Sequence, residues 1–196
     1  MKRIALTGGI ACGKSTLAGF LSELGCHVLD TDAVVHALEA PGGAAVAPIV
    51  EAFGQDMLTA DGGVDRVRLG RVVFANEAAR LRLQEIVHPL VRTELARQLS
   101  ASDKRPTVVI IPLLFEVGWD KDWDVVVCIV CAETEQRRRL LARGLSEAEA
   151  HARMTAQLPL SEKARRANQV VRNDGDLPAL QCAAARLMDQ WVKKTT

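Results

Sequence analysis

The chain has 196 residues, 48% of them hydrophobic and 25% charged, with 25 Lys plus Arg against 24 Asp plus Glu for a net charge of +1. This describes one globular domain of ordinary size with room for an inserted lobe, and the charge balance excludes a polyanion binder driven by bulk charge. The longest apolar runs, Val108–Phe115 and Val125–Ala132, fall far short of the ~20 residues a membrane helix needs, so neither a membrane nor a nucleic acid is expected as a partner.

From the first residue the elements alternate. Met1-Lys2-Arg3 leads at once into a short apolar strand, Arg3–Thr7, and on to glycines and a lysine, so no signal peptide is read and a cytoplasmic location is expected. Helical periodicity follows at Lys14–Leu24, a strand at Cys26–Asp30 and a helix at Asp32–Glu39. About 76 residues then separate the second strand from the third, far more than a crossover of a dozen or so needs. Turns at Pro41–Gly43 and Asp61-Gly62-Gly63 punctuate this stretch, and helices are expected at Arg80–Val87 and Leu90–Leu99. Strands return at Thr107–Ile111, Asp124–Cys131 and Gln169–Arg172, with helices at Glu135–Arg143, Glu147–Gln157 and Leu177–Lys194. The strands are rich in Val, Ile and Leu without alternation, as in a parallel sheet covered on both faces. The pattern predicts one α/β domain. Its core spans about 1–40, 107–136 and 167–196, with an inserted helical lobe at about 41–106 and an arginine-dense helical lid at about 137–166.

Gly8-Gly9-Ile10-Ala11-Cys12-Gly13-Lys14-Ser15 fits G-x-x-x-x-G-K-[ST] at every fixed position, and Thr16 continues it into a helix. The context makes the match specific, because an apolar strand runs into the loop and an amphipathic helix runs out of it. Glycines let the backbone N–H groups turn inward on phosphate oxygens at the positive end of a helix. Lys14 would reach the β- and γ-phosphates of ATP, and the Ser15 hydroxyl would hold Mg²⁺. No aspartate is followed three residues later by glycine and Asn-Lys-x-Asp is missing, which argues against a GTPase switch. Proline stands where a motor or transporter ATPase ends its third strand in an acid (Ile111-Pro112). A small-molecule kinase with a water-excluding lid remains. Its acceptor needs a base, and Asp30-Thr31-Asp32 falls at the carboxyl end of the second strand, the edge where α/β ligands bind. Asp32 is the candidate; Asp30 either shares that work or caps the following helix.

These residues together resemble the dephospho-coenzyme A kinase family. The similarity runs through Leu6-Thr7-Gly8-Gly9-Ile10 and the phosphate loop, Leu29-Asp30-Thr31-Asp32, and His88-Pro89-Leu90-Val91-Arg92. It continues in Pro112-Leu113-Leu114-Phe115-Glu116 and from Gly144-Leu145-Ser146-Glu147 through Gln157-Leu158-Pro159-Leu160-Ser161-Glu162-Lys163, so it covers nearly the whole chain. The resemblance implies a P-loop kinase-like parallel sheet with flanking helices, a substrate-binding helical lobe and a lid. It implies phosphorylation of the ribose 3′-hydroxyl of dephospho-coenzyme A by ATP; a monomer or weak homo-oligomer is expected. Asp32 then matches the base, and His88, Arg92, Leu114 and Glu116 match the acceptor side. For His88 a helix-entry role before Pro89 stays open, and for Glu116 a helix cap. Arg139 and Arg143, four apart and so expected on one helix face, suit the triphosphate, with a solvated face as the alternative. Arg137 and Arg138 are expected to face solvent, and Asn173 is placed near the adenine.

The chain departs from the family where Ala11 and Cys12 replace the usual Gly and Ser, where Arg143 runs straight into Gly144, and where Arg172 stands at a frequent acid. Its five cysteines, Cys12, Cys26, Cys128, Cys131 and Cys182, form an odd, scattered set typical of reduced thiols. Cys128 and Cys131 lie three apart in a strand, hence on opposite faces, and read as core. Cys12 sits in the anion-binding loop beside Lys14, where a thiolate is favoured; a side chain turned under the loop is the alternative.

Overall fold

The computed structural model describes residues 2–101 and 105–193. Residue 1 and residues 194–196 of the expected core, Lys194 of the last expected helix, and residues 102–104 of the expected lobe lie outside them.

The described chain forms two compact units, one of residues up to Leu29 together with the stretch after 104, and one of Asp30–Ala101. In the first unit, β1 (Arg3–Gly8) runs into the phosphate loop and α1 (Lys14–Glu23), and β2 (His27–Asp30) ends where the second unit begins. After the second unit come β3 (Thr107–Ile110) and β4 (Val125–Val130). Then follow α6 (Glu133–Leu141), α7 (Glu147–Thr155), α8 (Leu160–Arg166), β5 (Gln169–Arg172) and α9 (Leu177–Lys193).

The five strands make a parallel sheet in the order β2-β3-β1-β4-β5. β1 lies at its centre, with Leu6 beside Ile110 on one side and Val127 on the other. Every residue of β3 and all but the first of β4 are buried, which is why these strands are nearly unbroken runs of Val, Ile and Cys. One core gathers Ile4, Leu6, Leu17, Leu21, Val127, Ile129, Leu187 and Trp191 from the sheet, α1 and α9. A second, smaller cluster packs Ile10 and Ala11 of the loop against Leu140, Ala150 and Met154 of α6 and α7. Hydrophobic packing thus ties the phosphate loop to α6 and α7.

The second unit comprises α2 (Thr31–Glu39), α3 (Val46–Phe53), a 3₁₀ turn at Gln55–Met57, α4 (Arg66–Ala75) and α5 (Glu77–Ala101). The buried Glu39 pairs with Arg66 at 3.0 Å, joining α2 to α4.

Two sequence expectations need correction. The helices expected at Arg80–Val87 and Leu90–Leu99 are one helix, α5, which runs through Pro89. Proline supplies no N–H, yet Val87, Val91 and Leu95 form one buried row across it, and their packing outweighs the lost bond. His88 is therefore not a helix-entry residue. The helix expected to reach Arg143 stops at Leu141, with Ala142 as its cap and Gly144 in the left-handed region at φ 85°. Arg143 lies beyond the helix end, so it does not share a helix face with Arg139.

Candidate functional site

The phosphate loop owes its shape to its glycines. Gly8 has φ 146°, and a Cβ there would collide with the carbonyl oxygen of Ile129 on the neighbouring strand. Gly13 has φ 99°, and a Cβ there would strike the Asn173 amide. Ala11 holds φ 58°, the one non-glycine residue with positive φ among those described. This conformation costs an alanine roughly 1–2 kcal/mol, a cost a glycine would not bear. Gly13 is the N-cap of α1 and has no side chain to cap it, so the helix presents its first turn to an anion without a competing protein oxygen.

The side chains around the loop hold its backbone. Lys14 Nζ donates to the carbonyl oxygens of Gly8 (3.1 Å) and Gly9 (2.9 Å), lying back along the loop. Asn173, buried at the end of β5, donates from Nδ2 to Cys12 O at 2.8 Å. Ile10 is held at both backbone groups: its N–H donates to Gln157 Oε1 (3.1 Å), and its carbonyl accepts from Gln136 Nε2 (3.1 Å). The Arg139 guanidinium donates to Glu135 Oε1 (2.7 Å), Ala11 O (3.2 Å) and Asn173 O (3.1 Å), bracing the loop against the end of β5. Ser15 and Thr16, on the first turn of α1, are accessible to solvent. Beside the loop, a cavity of about 500 Å³ is lined by Gly9, Ile10, Gln136, Gln157 and residues of α7 and α8.

Arg143 is exposed, and Arg137 and Arg138 are exposed in ion pairs with Glu147 and Glu135. Glu135 is held at about 2, well below the usual carboxylate range, chiefly by its bonds from Arg138 and secondarily from Arg139. Arg172 pairs with Asp174 at 3.1 Å, and Asp174 in turn accepts from the N–H of Ala132 at the foot of α6.

Two residues expected on the acceptor side are built into the first unit. Leu114, expected at the substrate, is instead wholly buried, its apolar side chain removed from solvent by packing. Glu116 caps no helix. Its Oε1 lies 2.6 Å from the wholly buried Lys163 Nζ and accepts from the N–H of Leu158 at 3.0 Å. Lys163 also donates to Pro112 O at 3.1 Å.

In the second unit, Asp30 is the N-cap of α2, accepting from the N–H of Asp32 at 2.9 Å, and Asp32 itself is exposed in the first turn. His88 and Arg92 line a cavity of about 570 Å³ with Leu81, Gln84, Glu85 and Pro89. Burial, and after it the Arg92 charge, lowers the His88 imidazole below its ordinary value and favours the neutral ring.

Sequence reading missed Gln136, Lys163 and the role of Gln157. The one available signal was that Gln157 and Lys163 lie in the segment resembling the family. Among the described residues no group of three His, Cys, Asp or Glu could hold a metal ion. The donor set at the loop fits a cation bound by one hydroxyl, Ser15, and otherwise by substrate phosphates and water.

The family model described as dephospho-CoA kinase matches residues 2–179. A dephospho-CoA kinase from Symbiobacterium thermophilum is 48% identical over 181 residues, covering 90% of this chain and 76% of that protein. A solved structure from Thermus thermophilus superposes with a TM-score of 0.85 at 35% identity, over 96% of this chain and 97% of that one. The dephospho-CoA kinase of Campylobacter jejuni superposes with a TM-score of 0.74 at 26% identity, over 99% and 98%.

Proposed function

Since the chain belongs to the dephospho-CoA kinase family, we propose how its own residues carry out that family's reaction. The activity is ATP-dependent phosphorylation of dephospho-coenzyme A at the ribose 3′-hydroxyl, giving coenzyme A and ADP, in coenzyme A biosynthesis. The observation that carries the residue assignment is the phosphate loop: a glycine-capped helix start with Lys14 beside it and the loop backbone held from beneath.

ATP lies with its β-phosphate on the loop, residues Gly8, Gly9, Ile10, Ala11, Cys12, Gly13, Lys14, Ser15 and Thr16. Lys14 exchanges the carbonyl oxygens of Gly8 and Gly9 for the β- and γ-phosphates. Ser15 is the protein ligand for Mg²⁺, which when bound neutralises charge on the β- and γ-oxygens. Arg139 keeps the loop in register through Ala11 and Asn173 and turns its remaining N–H groups toward the transferred phosphoryl group. Asn173 works through the Cys12 carbonyl as a positioning residue. Arg143, exposed past the end of α6, joins the triphosphate when the lid closes.

Asp32 takes the proton of the 3′-hydroxyl as that oxygen attacks the γ-phosphorus. Its support is chemical and positional: it is an exposed carboxylate two residues after β2, beside a carboxylate already committed to capping. Neutral His88 and charged Arg92 bind the acceptor in the cavity of the lobe, Arg92 through a phosphate. Glu116 serves by bracing Leu158 and Lys163 beneath the lid. No helix among the described residues is long and apolar enough to cross a membrane. The enzyme is proposed to act in the cytoplasm as a monomer or weak homo-oligomer, without nucleic acid or membrane. ADP release tests this reading: dephospho-coenzyme A should stimulate it, while nucleoside monophosphates and gluconate-like acids should not. Equal stimulation by a monophosphate would overturn it.

A further inference from the structure

Cys12 does not stand alone under the loop. Its sulphur is wholly buried and lies 3.3 Å from the sulphur of Cys131, the first residue after β4. The Gln136 amide donates to the same Cys12 sulphur at 3.0 Å. Cys128, on the strand itself, turns elsewhere, its sulphur 4.0 Å from the Ile129 carbonyl oxygen. Cys131 lines the cavity of about 500 Å³ beside the loop, together with Gly9, Ile10 and Gln136. A small oxidant in that cavity reaches Cys131, and the Cys12 sulphur of the phosphate loop lies directly behind it at hydrogen-bond distance.

We propose that Cys12 and Cys131 are a redox-active dithiol, and that its oxidation by a peroxide to a disulfide disables the phosphate loop. The Cys131 thiol donates to the Cys12 sulphur, and with Gln136 and the Lys14 charge it holds Cys12 well below the ordinary thiol value. Cys26 and Cys128 are pushed up by burial to about 11 and about 12, so they remain protonated. The Cys12 thiolate attacks one peroxide oxygen; an S–O bond forms, the O–O bond breaks, and hydroxide leaves. Hydroxide takes the Cys131 proton and departs as water. The Cys131 sulphur then attacks the sulphenic sulphur of Cys12, forming the S–S bond and expelling a second hydroxide. Two sulphurs lose one electron each, and the two peroxide oxygens gain them.

The sulphurs must close from 3.3 Å to the disulfide length of about 2.05 Å. That draws residue 12 toward the end of β4, while its carbonyl is bonded to Asn173 and its N–H to Gly9 O. The backbone cradle for the β-phosphate is displaced as a result. Bound ATP fixes the same backbone, so nucleotide opposes the oxidation.

The test uses the full chain treated with hydrogen peroxide, with and without ATP and Mg²⁺, followed by non-reducing peptide mapping, ATP-binding titration and ADP release. The expected result is a Cys12–Cys131 peptide lighter by two hydrogens, ATP affinity and turnover lost in step with its yield, recovery with dithiothreitol, and slower linkage with nucleotide. Cys131→Ala, or Cys131→Ser should alanine not fold, keeps its turnover without peroxide, forms no linked peptide, and keeps its ATP affinity at the peroxide dose that links the parent. Absence of the linked peptide from oxidised, inactive protein overturns the proposal. So does complete linkage with ATP affinity retained, or a Cys131 variant that loses ATP affinity under peroxide as fast as the parent. The linkage and ATP binding are read without an acceptor, so failure here is separable from failure of the acceptor assignment.

Discussion

Replacing Glu116 by alanine removes the carboxylate from a lysine that has no access to water. Lys163 is 0% exposed, and among the described residues its ammonium keeps only the Pro112 carbonyl at 3.1 Å once Glu116 is gone. The N–H of Leu158 loses its acceptor in the same step. An uncompensated buried charge costs about 3–5 kcal/mol. For a chain of this size that lowers the thermal midpoint by about 6–20 °C, at about 2–4 °C per kcal/mol. Lys163→Met should cost less, about 1–3 kcal/mol, because the Glu116 side chain is 17% exposed and still accepts from Leu158. The double variant Glu116→Leu/Lys163→Met should be more stable than Glu116→Ala, since an apolar pair carries no desolvated charge. Thermal unfolding followed by far-ultraviolet circular dichroism gives all three midpoints, and steady-state ADP release gives the matching KM values. A Glu116→Ala enzyme that melts within about 2 °C of the parent but binds dephospho-coenzyme A poorly would refute the brace and make Glu116 a substrate contact.

Other perturbations test separate parts of the site. Arg139→Lys should lose nearly as much turnover as Arg139→Ala, about 10²–10³-fold, because an ammonium cannot span Ala11 O, Asn173 O and Glu135 together. ATP affinity should fall less than turnover, and unchanged turnover in steady-state assays would remove Arg139 from the reaction. Ala11→Gly relieves the φ 58° strain and should stabilise the protein by up to about 1 kcal/mol, seen as a higher thermal midpoint; a lower midpoint counts against the strain. His88 titrates below its ordinary value in the folded chain, so the unfolded chain binds the proton more readily. Its contribution to stability is present above about pH 6.5 and is lost as pH falls from there through the lower folded value. Urea titrations across pH 5 to 8 should show this loss, and His88→Gln should flatten it.

The strands and the phosphate loop were legible because their signals are local. Val125–Val130 is apolar throughout because it lies in the middle of a sheet buried on both faces, and the glycines of G-x-x-x-x-G-K-S answer to backbone geometry. The α5 helix through Pro89 was not legible, since proline reads locally as a boundary and the row Val87, Val91, Leu95 that carries the helix across it gains its energy from tertiary packing. The end of α6 was marked by Gly144, whose left-handed φ stops the helix before Arg143. The two glutamines on Ile10 left no trace in any periodicity, because a side chain bonding to distant backbone is fixed by the fold and by no local pattern. Asp30 and Asp32 are alike in sequence, and only the bond from the Asp32 N–H to Asp30 Oδ1 assigns the first of them to the helix cap.

That distinction also gives the most direct test of the mechanism. Asparagine caps a helix about as well as aspartate, so Asp30→Asn should keep its thermal midpoint and most of its turnover. Asp32→Asn removes the proposed proton acceptor, and quenched-flow measurement of ADP formation at saturating ATP and dephospho-coenzyme A should show turnover reduced by about 10²–10⁴-fold with ATP affinity close to that of the parent. Equal, mild losses in the two variants, or an Asp32→Asn enzyme that turns over at the parental rate, would contradict the assignment of Asp32 as the base.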